Sequence, residues 1–160
     1  MTSLVILVAV ALFLFAGSFF SKRRFGLLGL ALAAGYVLSG LWQDTAELMV
    51  SMTGLVPSGV VSQFIATLIL ILLPPTLLLF HGYAYKSITG RLVGSALFTV
   101  LALAFLAGPM SKALVLDGIG AQAFQWILGN ASLIIGIGVM AAVFDVFFSK
   151  PARIGSRREK

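Results

Sequence analysis

Cysteine is absent from this sequence, and histidine occurs once. The first absence removes structural disulfides, thiolate metal sites and cysteine nucleophiles together, and the second leaves too few ligands for a histidine-based metal centre. Charge is scarce as well. Asp, Glu, Lys and Arg make up 10% of the chain against 60% hydrophobic residues, where a water-soluble domain is roughly a quarter charged. A globule of 160 residues needs polar side chains to coat it, so this one has no means of facing water on all sides. Catalytic signatures are missing too. No serine stands in a G-x-S-x-G elbow, and there is no H-E-x-x-H, paired-carboxylate or phosphate-loop pattern. No active site, cofactor site or metal site is expected.

What is present is apolar sequence in five runs, at 4–20, 25–42, 60–80, 92–107 and 124–148, each close to the roughly 20 residues a helix needs to cross a bilayer. The expected fold is therefore all-α: a polytopic transmembrane bundle of five spans forming one domain, 1–148, with a basic cytoplasmic tail at 149–160. The net charge of +6 does not indicate nucleic acid, because the basic residues lie in short clusters between apolar runs and form no single wet face. Those clusters orient the chain. With the N-terminus outside, Lys22, Arg23, Arg24, Lys86, Arg91, Lys150, Arg153, Arg157, Arg158 and Lys160 all fall in the cytoplasm and only Lys112 falls outside. The first run has its positive charges after it, the reverse of a secretory signal. In the segment 43–59, Asp44-Thr45-Ala46-Glu47 has the spacing of a capping box and predicts a separate short helix on the outer surface.

A bilayer interior makes ionisable residues costly, so each one inside a run is a candidate for function. Asp145 is the one such residue. Near the inner end of the fifth run, it could form an interfacial ion pair with Lys150 or Arg153, or pair with a partner subunit. Gln122, Trp126 and Asn130 make a polar stripe at i, i+4 and i+8, and Asn130, the deepest, is expected to hydrogen-bond a neighbouring helix or contact a substrate. His81 reads as an interfacial anchor. Pro74-Pro75 is expected to kink the third span, as a static bend or a hinge, because two helix donors are lost there. Small residues four apart (Ala31, Gly35 and Ser39; Gly90 and Gly94; Ala104 and Gly108; Ser132 and Gly136) allow close helix approach, within the monomer or between copies.

Two short segments carry a resemblance. Arg23-Arg24-Phe25-Gly26 opens the second run, and Arg91-Leu92-Val93-Gly94 opens the fourth after the run containing Phe64-Ile65-Ala66-Thr67-Leu68-Ile69. Over roughly residues 4–107 the chain resembles the colicin V production protein family of four-span bacterial inner-membrane proteins, to which it would add a fifth span. The resemblance implies an accessory role in export or envelope physiology. The expectation is thus a non-enzymatic accessory or assembly protein of the bacterial cytoplasmic membrane. Its partners would be anionic lipid head groups and another membrane protein or further copies of itself; the alternative is a small channel or transporter for a neutral or apolar solute.

Overall fold

The computed structural model describes residues 2–57, 59–79, 85, 87–114 and 118–148. Among these residues it contains five helices: α1 (Thr2–Ser21), α2 (Phe25–Met52), α3 (Val60–Leu79), α4 (Ile88–Ala113) and α5 (Gly118–Phe147). Each is long and apolar enough to cross a membrane. They are helices because the runs are rich in Leu, Ala, Ile and Phe and leave the backbone no partner but itself when water is excluded.

Several boundaries differ from expectation. The separate helix predicted at Asp44 does not exist, since α2 passes through that segment without a break. Nothing between Leu41 and Met52 interrupts a helix: the stretch has no Gly or Pro, and Ala46, Glu47, Leu48 and Met49 favour the conformation. A capping box caps only where a helix begins, so Glu47 does other work. It accepts from the buried Ser62 hydroxyl at 3.4 Å, while that hydroxyl also bonds the Gly59 backbone and starts α3. At about 1.5 Å per residue the 28 residues of α2 reach roughly 42 Å, longer than the ~30 Å hydrocarbon core. Likewise, α4 continues through Pro109 to Ala113, and α5 begins at Gly118, six residues before the apolar run.

α4 lies at the centre and packs on all four other helices. Its Phe98, Leu101, Ala102, Phe105, Leu106 and Met110 are buried against Leu28 and Leu32 of α2, Ile71 of α3 and Phe124 of α5. The hydroxyls in this interior are used locally. Thr99 donates to Ser95 O at 2.8 Å, Ser95 to Arg91 O at 2.7 Å, Thr67 to Gln63 O at 2.8 Å and Ser39 to Tyr36 O at 2.7 Å. Each bond returns to its own helix, so none of these groups is left seeking a partner across the bundle.

α2 and α3 form the most extensive helix pair, and the two prolines explain how. α3 runs through both Pro74 and Pro75. Lacking amide hydrogens, they leave the carbonyls of Leu70 and Ile71 without helical donors. Gly35 of α2 sits on these oxygens: an added Cβ would overlap the Ile71 carbonyl oxygen and lie 2.8 Å from that of Leu70. The Cα–H that replaces it therefore faces two unpaired carbonyls, a weak hydrogen-bonding contact open only to glycine.

Candidate functional site

The charged groups meet at the end of the bundle where α1 and α3 finish and α2 and α4 begin. The α1–α2 turn holds Lys22 at φ 58, a left-handed conformation that a lysine does not favour. It is kept there by a bond from outside the turn, the Tyr85 amide donating to Lys22 O at 2.8 Å. Arg24 is the N-cap residue of α2, with extended backbone angles and no capping bond from its own side chain. The first amides of α2 would therefore be orphans.

They are satisfied from α5 and from the segment that precedes α4. The Gly26 amide donates to Asp145 Oδ2 at 2.8 Å, and the Phe25 amide donates to the Tyr85 hydroxyl oxygen at 3.2 Å. Asp145, at the end of α5, thus does for α2 what an N-cap aspartate does for its own helix. Its negative charge sits at the positive end of the α2 dipole. Arg24 completes the arrangement with Nη2 on Asp145 Oδ1 at 2.8 Å. Tyr85 lies 3.5 Å from Oδ2 through its hydroxyl, and its ring is 5.5 Å from the Arg24 guanidinium carbon. Burial pushes the Tyr85 phenol above its ordinary value, as does the nearby Asp145 charge, while the bond from the Phe25 amide opposes both. The phenol stays protonated and neutral at ordinary pH.

The other arginines at this end cap carbonyls. Arg23 Nε donates to Leu79 O, the last carbonyl of α3, at 2.9 Å. Arg91 Nη2 donates to Phe19 O in the last turn of α1 at 2.9 Å, with the guanidinium 4.5 Å from the Phe19 ring centroid. Helix starts thus receive a carboxylate and helix ends receive guanidinium groups, each sign matching the local dipole. Burial is imperfectly compensated, since Arg24 Nε and Arg91 Nε are buried without partners.

Glycines set the spacing. A Cβ on Gly26 would lie 2.5 Å from Ala142 O and 2.9 Å from Asp145 Oδ2, and one on Gly29 would lie 2.9 Å from Ala142 Cβ. One on Gly94 would lie 2.7 Å from the Tyr85 ring. Arg23-Arg24-Phe25-Gly26 and Arg91-Leu92-Val93-Gly94, noticed as separate segments, converge here around Tyr85, which sequence reading passed over. The signal available for it was an aromatic residue two positions before the Ser87 that caps α4.

The remaining expected sites fall elsewhere. Lys150 and Arg153, the anticipated partners of Asp145, lie outside the described residues, as does His81. Pro74 and Pro75 act through the Gly35 contact. Among the described residues Asn130 makes no hydrogen bond to a neighbouring helix, and its Nδ2 donates to Trp126 O at 2.8 Å on α5 itself. It borders a groove of about 310 Å³ between α4 and α5 whose other walls include Leu97, Val100, Leu133 and Ile137.

At the opposite end, a cleft of about 410 Å³ opens between α2, α3 and α4. Gln43, Gln63 and Lys112 line it together with Tyr36 and Phe64. The clue in the sequence was a glutamine near the facing ends of two successive apolar runs. Among the described residues there is no group of three His, Cys, Asp or Glu able to hold a metal. No protein-family model, curated protein or solved structure matches the chain.

Proposed function

We propose that this protein is a non-enzymatic accessory or assembly subunit of a bacterial cytoplasmic membrane, serving export or envelope maintenance. It spans the bilayer five times with the arginine-capped end and the C-terminal tail in the cytoplasm. The observation that carries the reading is the uncovered side of α5. Of its 30 residues only Gly120, Phe124 and Ala142 are buried. On the exposed side, Gln122, Gln125 and Trp126 lead into Gly129, Ser132, Leu133, Gly136 and Ile137. Lipid alone suits the aliphatic part, but side-chain amides and closely spaced small residues on one exposed face suit a second transmembrane helix better. The small residues Ala31, Gly35 and Ser39 of α2 are already buried inside the chain, whereas Ser132 and Gly136 have no such use. The resemblance to the colicin V production family points the same way.

Membranes carrying the chain with a photo-crosslinking amino acid at Ile137 provide the test. A discrete product, either a second copy or one co-purifying membrane protein, is the expected result, with Val8 on the exposed side of α1 as the lipid-facing control. Recovery of uncrosslinked monomer alone from both positions counts against the proposal. A single-chain channel for a neutral solute finds less support, because Leu28, Leu32, Ile71, Leu101 and Leu106, all at most 1% exposed, fill the middle of the bundle with apolar side chains.

A further inference from the structure

We propose that the cleft between α2, α3 and α4 binds an anionic headgroup, a phosphate or carboxylate, with apolar walls for the part of the molecule attached to it. Its volume of about 410 Å³ is within the roughly 300–1,000 Å³ of small-ligand sites. Its lining carries one positive charge, Lys112 in the last turn of α4, and no carboxylate. Glu47, on the same helix as Gln43, does not line the cleft and is bonded to Ser62.

The polar groups around Lys112 are uncommitted. Among the described residues, the side-chain amides of Gln43 and Gln63 and the Tyr36 hydroxyl make no hydrogen bond, whereas the Ser39 and Thr67 hydroxyls beside them are held by their own helices. Two amides, a phenol and an ammonium on three helices line the one cleft, a richer set of donors than a lone surface lysine offers. Val37, Val60 and Phe64 supply an apolar wall. The backbone is also open here: Gly40 and Gly108 both line the cleft, and a Cβ on either would meet nothing within 4 Å. This site is separate from the α5 face and does not depend on it.

Native mass spectrometry of the full chain in mild detergent tests the proposal, with three probes: dioleoyl phosphatidylglycerol, dioleoyl phosphatidylcholine and inorganic phosphate. We expect one phosphatidylglycerol or one phosphate to be retained at least tenfold better than phosphatidylcholine, and the stronger of the two identifies the source as a lipid or a free anion. Retention should fall at least tenfold in Lys112→Met and in Gly40→Leu. The second variant starts its side chain in open space, since a Cβ there meets nothing within 4 Å, and its melting temperature, measured alongside, separates loss of the site from loss of the fold. Gly129→Leu, another position with open space but on α5, should bind as the parent does. Equal retention of phosphatidylcholine, or retention unchanged in both Lys112→Met and Gly40→Leu, overturns the proposal.

Discussion

Removing the carboxylate of Asp145 should destabilise the bundle through α2, a helix whose amides lie 119 and more residues away in sequence. In Asp145→Ala, the Gly26 amide loses its acceptor, an N-cap loss of about 1 kcal/mol. Arg24 loses a charge-assisted bond worth about 1.5–3 kcal/mol when buried. With Arg24 and Asp145 side chains 26% and 20% exposed and Arg24 Nε unpaired, screening reduces that second contribution to about 1 kcal/mol. The total is about 2 kcal/mol, which for a chain of this size lowers the melting temperature by about 4–8 °C. Asp145→Asn keeps an acceptor for Gly26 and gives up the charge, so about half the loss is expected. In a double-mutant cycle with Arg24→Gln, the coupling should be about 1 kcal/mol. The assay is thermal unfolding in mild detergent, followed by far-ultraviolet circular dichroism. A melting temperature for Asp145→Ala within 1 °C of the parent, or zero coupling to Arg24, would refute the capping argument. Loss of a cellular phenotype without loss of stability would instead assign Asp145 a role toward a partner.

Three further outcomes follow from the same geometry. Gly35→Ala should cost about 2 kcal/mol or more, because its Cβ would overlap the Ile71 carbonyl at the tightest approach of α2 and α3; Gly17→Ala, with open space around it, should be neutral or stabilising by about 0.5–1 kcal/mol. Lys22→Gly should stabilise by up to about 1 kcal/mol and Lys22→Val should destabilise, since the residue sits at φ 58; paired unfolding curves decide this. Tyr85 has a phenol pKa raised above 10.0 in the folded state, so the unfolded chain ionises first and stability falls as pH rises from about 10 through the folded value. Unfolding curves of the parent and Tyr85→Phe should therefore differ most below pH 10 and converge above it; a difference independent of pH would count against the burial of that phenol.

Much of the fold could be read in advance because apolar run length integrates over many residues. The small residues of α2 show how far such reading extends. Ala31, Gly35 and Ser39 could be placed on one face and are all buried. Which surface they meet was not written in their spacing, and the spacing of Ser132 and Gly136 looked the same although both are exposed. The capping-box reading at Asp44 failed for a related reason. A local motif has meaning only if the chain is not already helical when it reaches it, and Leu41 and Trp42 had carried α2 through. Asp145 was singled out from cost alone, and the bonds seen among the described residues come from positions far from it in sequence. Arg24 stands 121 residues away, and Tyr85 carries no conspicuous motif.

The sequence by itself determined five apolar helices, their approximate limits and the confinement of charge to their ends, because the free energy of apolar burial sums over a run whatever surrounds it. Tertiary structure alone decided how those ends are satisfied. In runs that are apolar on every side, periodicity does not mark which face packs inward. The pairing of Asp145 with Gly26 and Arg24, of Gly35 with the carbonyls freed by Pro74 and Pro75, and of Gln43 with Gln63 and Lys112 around one cleft depends on which helices stand side by side.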